Sequence, residues 1–204
     1  ISACTKQDLM TQLGVEDSKI EVIYQSCHQS FRVDYSTETL QAFRLKHQLP
    51  KQFLLQVGSI ESRKNALTSL KALEHIDSIP LLLVGKKTNY WHTLIDFAQK
   101  KGLESRLIHL NVGPMEDLAK LYRLASVFLY PSVYEGFGIP ILEALYSKVP
   151  VVTNKEGVFK EVGGPDSYYV DVDNPLAMAQ QINRILEHPT TTIKRIENSF
   201  IFCF

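Results

Sequence analysis

Phe53-Leu54-Leu55-Gln56-Val57, closed by Gly58-Ser59, is followed by a segment with apolar residues at Ala66, Leu67, Leu70, Leu73 and Ile76. The first run is short, apolar and ended by a glycine, as a strand buried on both faces is. The spacing from residue 65 to 76 is that of a helix. The same alternation continues down the chain. Leu81-Leu82-Leu83-Val84 is a second strand, and 90–101 is a helix with Gly102 at a favourable C-cap position. A third strand at Leu107-Ile108-His109-Leu110, a helix over 115–125 and a fourth strand at Val127-Phe128-Leu129-Tyr130 follow. A helix over 139–147, a fifth strand over 149–153 and a sixth at Tyr168-Val170 come next, and Pro175 suits the first position of a helix over 176–186. Continuous apolar strands separated by helices predict a parallel sheet covered on both faces: a doubly wound, Rossmann-like α/β fold.

Bulk properties narrow the function. The chain has 204 residues, with 22 Lys plus Arg against 22 Asp plus Glu. Zero formal net charge argues against a general nucleic-acid binder, which normally carries a basic excess. Cys4, Cys27 and Cys203 are odd in number and lack metal-ligand spacing, which favours a reduced, cytoplasmic setting. No apolar run is long enough to span a bilayer and no signal-peptide pattern is present. Peripheral contact with the inner face of a membrane is compatible with that. The histidines form no metal pattern; His75, His92 and His109 are expected at the surface or in packing, and Trp91 in the core. No Asp-x-Asp pair ends a strand, and no Ser-His-Asp set or P-loop is present, so neither metal nor cofactor is expected.

The chemistry concentrates in two loops. Tyr134-Glu135-Gly136-Phe137-Gly138-Ile139-Pro140-Ile141-Leu142-Glu143-Ala144 follows the fourth strand and opens a helix. Its glycines let backbone N–H groups approach a phosphate closely. The helix start offers unpaired N–H groups and the positive end of the dipole. Glu135 and Glu143 can accept hydrogen bonds from sugar and ribose hydroxyls. In the other loop, Gly58-Ser59-Ile60-Glu61-Ser62-Arg63-Lys64-Asn65 ends the first strand, and ligands of open α/β sheets bind outside such strand ends. Arg63 and Lys64 supply two cationic donors, suited to a diphosphate that gains charge as it leaves. The plainer alternatives are a solvated Arg-Lys pair, a loop acid at 135, and at 143 a carboxylate opposing the helix dipole for about 0.3–1 kcal/mol.

Residues 135–144 resemble, without a gap, the E-G-F-G-x-P-x-x-E-A signature of the retaining GT-B glycosyltransferases of family four (group 1). Residues 57–65 are similar to the same family's V-G-x-x-x-x-R-K-N motif. The resemblance implies that Arg63 and Lys64, beside Gly58, hold the donor diphosphate and that Glu143 receives the ribose hydroxyls. It also implies that Glu135 contacts the transferred sugar, with Gly136 and the backbone N–H groups of Phe137 and Gly138 near sugar and phosphates. Glu135, Arg63 and Lys64 are then the catalytic set. Asn111-Val112-Gly113-Pro114 resembles the turn that lines the base pocket, which brings in Val112 and Gly113, although a larger apolar residue is common at 113. Asn154, after Thr153, is a donor-site hydrogen bonder or an ordinary turn asparagine. Glu161-Val162-Gly163-Gly164 resembles a closing motif with a structural role, and Lys86, in a Gly85-Lys86-Lys87 loop that lacks the second glycine, is expected to be exposed.

Thr5-Lys6-Gln7-Asp8-Leu9, Gly14-Val15 and Lys19-Ile20-Glu21-Val22-Ile23-Tyr24 are similar to the segment that closes the family's N-terminal domain, with Tyr24-Gln25-Ser26-Cys27-His28 in place of P-N-G-V-D. The expected organisation is therefore 1–30 as the end of an N-terminal domain and linker, 31–190 as the donor-binding domain, and 191–204 as an unassigned tail. The absence of an initiating Met suggests a piece of a longer protein. Such a piece is expected to bind its donor weakly and to transfer nothing alone, because the acceptor site lies on the other domain. The last residues, 199–204, are expected to be an edge strand, a truncated helix or an arbitrary end. The function implied is hexosyl transfer from a UDP- or GDP-sugar to an acceptor hydroxyl with retention, mannosyl transfer being the favoured case. The acceptor is a glycan or glycolipid of surface-polysaccharide or lipopolysaccharide assembly. The alternatives are a non-catalytic nucleotide-sugar binding module and another GT-B enzyme such as a nucleotide-sugar epimerase.

Overall fold

The computed structural model describes residues 1–202, with side chains through residue 198. One sheet is built from β1 (Leu54–Val57), β2 (Leu81–Val84), β3 (Leu107–Leu110), β4 (Val127–Tyr130), β5 (Val151–Asn154) and β6 (Tyr168–Val170). All strands are parallel and lie in the order β3-β2-β1-β4-β5-β6. Leu54 is in register with Leu81 on one side and Val127 on the other.

The helices are α1 (Ala3–Leu13), α2 (Thr37–Lys46), α3 (Ala66–Ala72), α4 (Tyr90–Lys101), α5 (Met115–Leu124), α6 (Ile139–Tyr146), α7 (Phe159–Gly163), α8 (Pro175–Glu187) and α9 (Pro189–Phe202). Because successive strand side chains point to opposite faces, one apolar run feeds two cores. Leu54, Leu81, Val127 and Val152 pack with Leu70 of α3, Leu94 of α4 and Ile182 of α8. Leu55, Leu82, Phe128 and Val151 pack with Phe43 of α2, Tyr122 of α5 and Ile141 of α6. Full burial of each such side chain contributes on the order of 1.5–3 kcal/mol, so the sheet and its two helical layers stand or fall together.

Differences from the expected elements have local causes. The helix expected over 65–76 is α3 plus a 3₁₀ turn, Leu73–His75. Arg106 donates to the carbonyls of Leu73, Ile76 and Ile79 at 2.9, 2.8 and 3.0 Å, taking acceptors that a continuing α-helix would use. The fifth strand begins at Val151 rather than 149, since Pro150 has no N–H to contribute. Helices α1, α2, α7 and α9 are additions to the sequence reading. α9 runs through most of the 191–204 tail; residues 203 and 204 lie outside the described residues. Trp91 is half-buried, packed against the edge of the core rather than inside it, with the Lys87 ammonium 4.3 Å from its ring centre. Lys86 is exposed, and His109 is half-buried with a ring nitrogen 2.8 Å from the Gly85 carbonyl. Among the described residues no helix is long and apolar enough to cross a membrane.

Candidate functional site

Strand order reverses between β1 and β4: β2 and β3 lie on one side, β5 and β6 on the other. Connections leaving two adjacent strands in opposite directions open a crevice at the strands' carboxyl ends. The loops after β1 and β4 are those that carry Arg63, Lys64 and Glu135, so two segments distant in sequence meet there.

The β1 loop is shaped by a glycine contact and by a buried amide. Gly85, after β2, has φ +143°, and a Cβ there would lie 2.0 Å from the Gly58 carbonyl oxygen. Only glycine lets the two strand ends approach so closely. Gln56, 5% exposed on β1, donates from Nε2 to the Lys64 carbonyl at 2.8 Å and accepts from Ser69 Oγ at 2.8 Å. That amide anchors the Ser62–Lys64 turn to the sheet and aims the Lys64 side chain across Gly58, 3.4 Å from where a Cβ would stand.

Two cationic side chains then converge on the β4 loop. Glu135 Oε1 accepts from Lys64 Nζ at 2.7 Å and from Arg63 Nη1 at 2.9 Å. Lys64 Nζ also donates to the Tyr130 hydroxyl at 2.9 Å. Arg63 additionally donates to the Tyr134 carbonyl at 2.8 Å and pairs with Glu61 at 3.1 Å. Burial by itself pushes the Glu135 carboxyl up, but the hydrogen bond from Lys64 and the charges of Lys64 and Arg63 outweigh it and hold the group below the usual carboxylate range. Burial also pushes the Tyr130 phenol far up, with the Glu135 charge adding to the effect, so the hydroxyl stays protonated. A cleft of about 290 Å³ opens beside these groups, lined by Lys64, Tyr130, Glu135, Gly138 and Pro140 among others.

The signature loop is held from the far end of the chain. Ser2 Oγ and Thr5 Oγ1 both donate to the Gly136 carbonyl, at 2.7 and 2.9 Å. Glu161 accepts from the backbone N–H groups of Ala3 at 2.6 Å and Cys4 at 3.1 Å, a carboxylate on the positive end of α1. Glu161 therefore has the structural role expected of it. Gly138 takes φ +112°, which turns the chain into α6. The Phe137 ring is buried and 6.0 Å from that of Tyr24, separating the cleft from a second cavity of about 410 Å³ bounded by Tyr24, Arg32, Leu142 and Tyr146.

The other expected site residues have partners of their own. Glu143, in α6, is 6% exposed, with its carboxylate accepting from the Tyr122 hydroxyl of α5 at 2.9 Å. Burial raises its pKa, and the Tyr122 hydrogen bond only partly offsets that. Burial raises the Cys27 thiol too, against the lowering effect of the Arg32 hydrogen bond and charge. Asn154 is 5% exposed, with Nδ2 donating to the Ser132 carbonyl at 3.1 Å and Oδ1 accepting from Glu156 N–H at 3.1 Å. Each end of its amide thus has a partner in the chain, and the side chain braces the end of β5 against the loop after β4. Val112 is half-buried against the core, and Gly113 has open space around it, at the end of a strand two places from β1. Sequence reasoning missed Gln56, Tyr122 and Tyr130. A glutamine within an apolar strand was the one available signal, since buried polar groups are retained with partners.

A crevice at the switch point of a doubly wound sheet, with two cations and a glycine-flanked helix start at its edge, is where α/β proteins of this class place their ligand sites. The sequence model of the family described as glycosyl transferases group 1 matches residues 38–200. The chain belongs to that family. It is 29% identical over 94% of its length to a serotype-specific mannosyltransferase WbdA of Escherichia coli, covering 24% of that protein. It is 34% identical over 70% of its length to an O-antigen chain mannosyltransferase B of the same species, covering 39% of it. The chain thus spans well under half the length of these two relatives. The structure of Anabaena HepE in complex with UDP and glucose superimposes with a TM-score of 0.90 at 20% identity, over 99% of this chain and 56% of that one. At that identity the likeness concerns the fold.

Proposed function

We propose that this chain supplies the donor site of a retaining hexosyltransferase, moving a sugar from a UDP- or GDP-sugar to an acceptor hydroxyl. The convergence of Lys64 and Arg63 on one oxyanion at the strand-order reversal carries the reading. Two cations there would neutralise the diphosphate as it leaves, without a metal ion. In this reading Glu135, with Gly136 and the backbone at Phe137 and Gly138, orients the sugar. Glu143 takes the ribose hydroxyls, and Val112 and Gly113 border the base.

Mannose is the sugar favoured by the names of the relatives, and a glycan or glycolipid of O-antigen or lipopolysaccharide assembly is the acceptor favoured by them. Work in the cytoplasm, at the inner face of a membrane, and an acceptor site on a separate N-terminal domain belong to the same proposal. The UDP in the HepE complex supports a nucleotide in the crevice, and leaves UDP and GDP to be distinguished by experiment.

Calorimetric titration of the chain with UDP, GDP and their glucose and mannose derivatives tests the reading. One nucleotide class should bind selectively, and Lys64→Ala should abolish that binding. Absence of binding by every nucleotide, or binding indifferent to Lys64→Ala, would refute it.

A further inference from the structure

The anion seat between Arg63 and Lys64 is filled by the protein's own carboxylate. Glu135 Oε1 takes both cationic donors at once, at 2.9 and 2.7 Å. The Lys64 and Glu135 side chains are only 13% and 11% exposed, so water does little to screen the pair or to replace either partner. A phosphate oxygen bound to the same two donors needs the position that Oε1 holds. Two oxyanions cannot share it, because like charges at that separation repel strongly.

We propose that Glu135 is an internal competitor for this seat, which makes the site discriminate between a nucleotide sugar and the free nucleoside diphosphate. The inference rests on the donor-site reading above and adds a selectivity role to it. A nucleotide sugar brings hydroxyl donors into the cleft beside Glu135 and offers the displaced carboxylate new partners. A free nucleoside diphosphate brings none at that end, so it must take the cations while leaving Glu135 uncompensated. Once the sugar is transferred, the carboxylate returns to Arg63 and Lys64 and expels the product.

Glu61 provides an internal control. It carries the same charge and pairs with the same Arg63, at 3.1 Å, but makes no ion pair with Lys64 among the described residues, and its side chain is 40% exposed. A general electrostatic effect would make the two acids interchangeable; competition for the seat would not.

The experiment is calorimetric titration of the whole chain with inorganic pyrophosphate, UDP, GDP and the glucose and mannose derivatives of both nucleotides at fixed ionic strength, in wild type, Glu135→Gln, Glu61→Gln and Lys64→Met. Glu135→Gln should tighten pyrophosphate and the cognate nucleoside diphosphate by about tenfold to a hundredfold, the worth of a charge-assisted hydrogen bond released from competition. Glu61→Gln should change them by no more than about threefold, and Lys64→Met should weaken them. Equal affinity in wild type and Glu135→Gln, or equal tightening by both glutamine substitutions, overturns the competitor role. If Lys64→Met still abolishes nucleotide-sugar binding in that case, the donor-site reading survives. Binding of none of these anions by any variant overturns both.

Discussion

Removing the Tyr122 hydroxyl tests how the protein tolerates a carboxylate inside its helical layer. Tyr122→Phe keeps the ring, and with it the contacts to Phe31 and Phe128 at centroid distances of 5.4 and 5.0 Å. What it deletes is the 2.9 Å hydrogen bond to Glu143, whose residue is 6% exposed. A hydrogen bond to a charged group contributes about 1.5–3 kcal/mol. For a chain of this size about 2–4 °C of melting temperature follows each kcal/mol, so the expected fall at pH 7 is on the order of 6 °C.

The pH dependence gives the sharper test. Burial raises the folded-state pKa of Glu143, and Tyr122 opposes that rise; the substitution raises it further. A carboxyl with a raised folded pKa costs nothing below its unfolded value, near 4.3. The cost grows as pH climbs from there to the folded pKa. The loss caused by Tyr122→Phe should therefore be largest at pH 7 and shrink towards pH 4, as measured by urea unfolding at matched ionic strength. Equal losses at both pH values would refute the argument. Glu143→Gln supplies a second check: with an acceptor kept and the charge gone, it should be at least as stable as wild type at pH 7.

Two glycines and an asparagine extend the test to the crevice. Gly85→Ala should cost about 3 kcal/mol or more in urea unfolding, combining a φ reserved for glycine with a backbone clash, whereas Gly113→Ala, with nothing within 4 Å of its Cβ, should stay within about 0.5 kcal/mol. Asn154→Ala should lower stability by about 1–3 kcal/mol through the unpaired Ser132 carbonyl and Glu156 N–H, and should leave nucleotide affinity measured by calorimetry unchanged.

The strands could be read from the chain because each is a short apolar run that a two-faced burial requires, and α8 because Pro175 suits the first position of a helix, where the structure adds an Asn174 cap to Ala177 N–H. The added helices carry weaker local signals. α1 has no buried residue; it is held by the Ser2 cap, the Gly14 turn and Glu161, whose carboxylate comes from 157 and 158 positions away. α2 buries only Phe43 and is capped by Ser36. Neither offers the apolar periodicity on which a reading of the chain depends.

The two glutamates of the signature show where local pattern stops. The resemblance to the family's motifs singled out Glu135 and Glu143, together with the Arg63-Lys64 pair, as groups expected to meet a phosphorylated, hydroxyl-rich ligand. It could not say that one carboxylate would be charged between two cations and the other desolvated against a phenol. Those environments depend on partners 71 and 21 positions away, brought into contact by the docking of β4 beside β1 and of α6 against α5. Burial and pairing energies are properties of these contacts rather than of the residues themselves. The chemistry available was written in the chain; the protonation, access and competition of its acids were decided by the order of the strands.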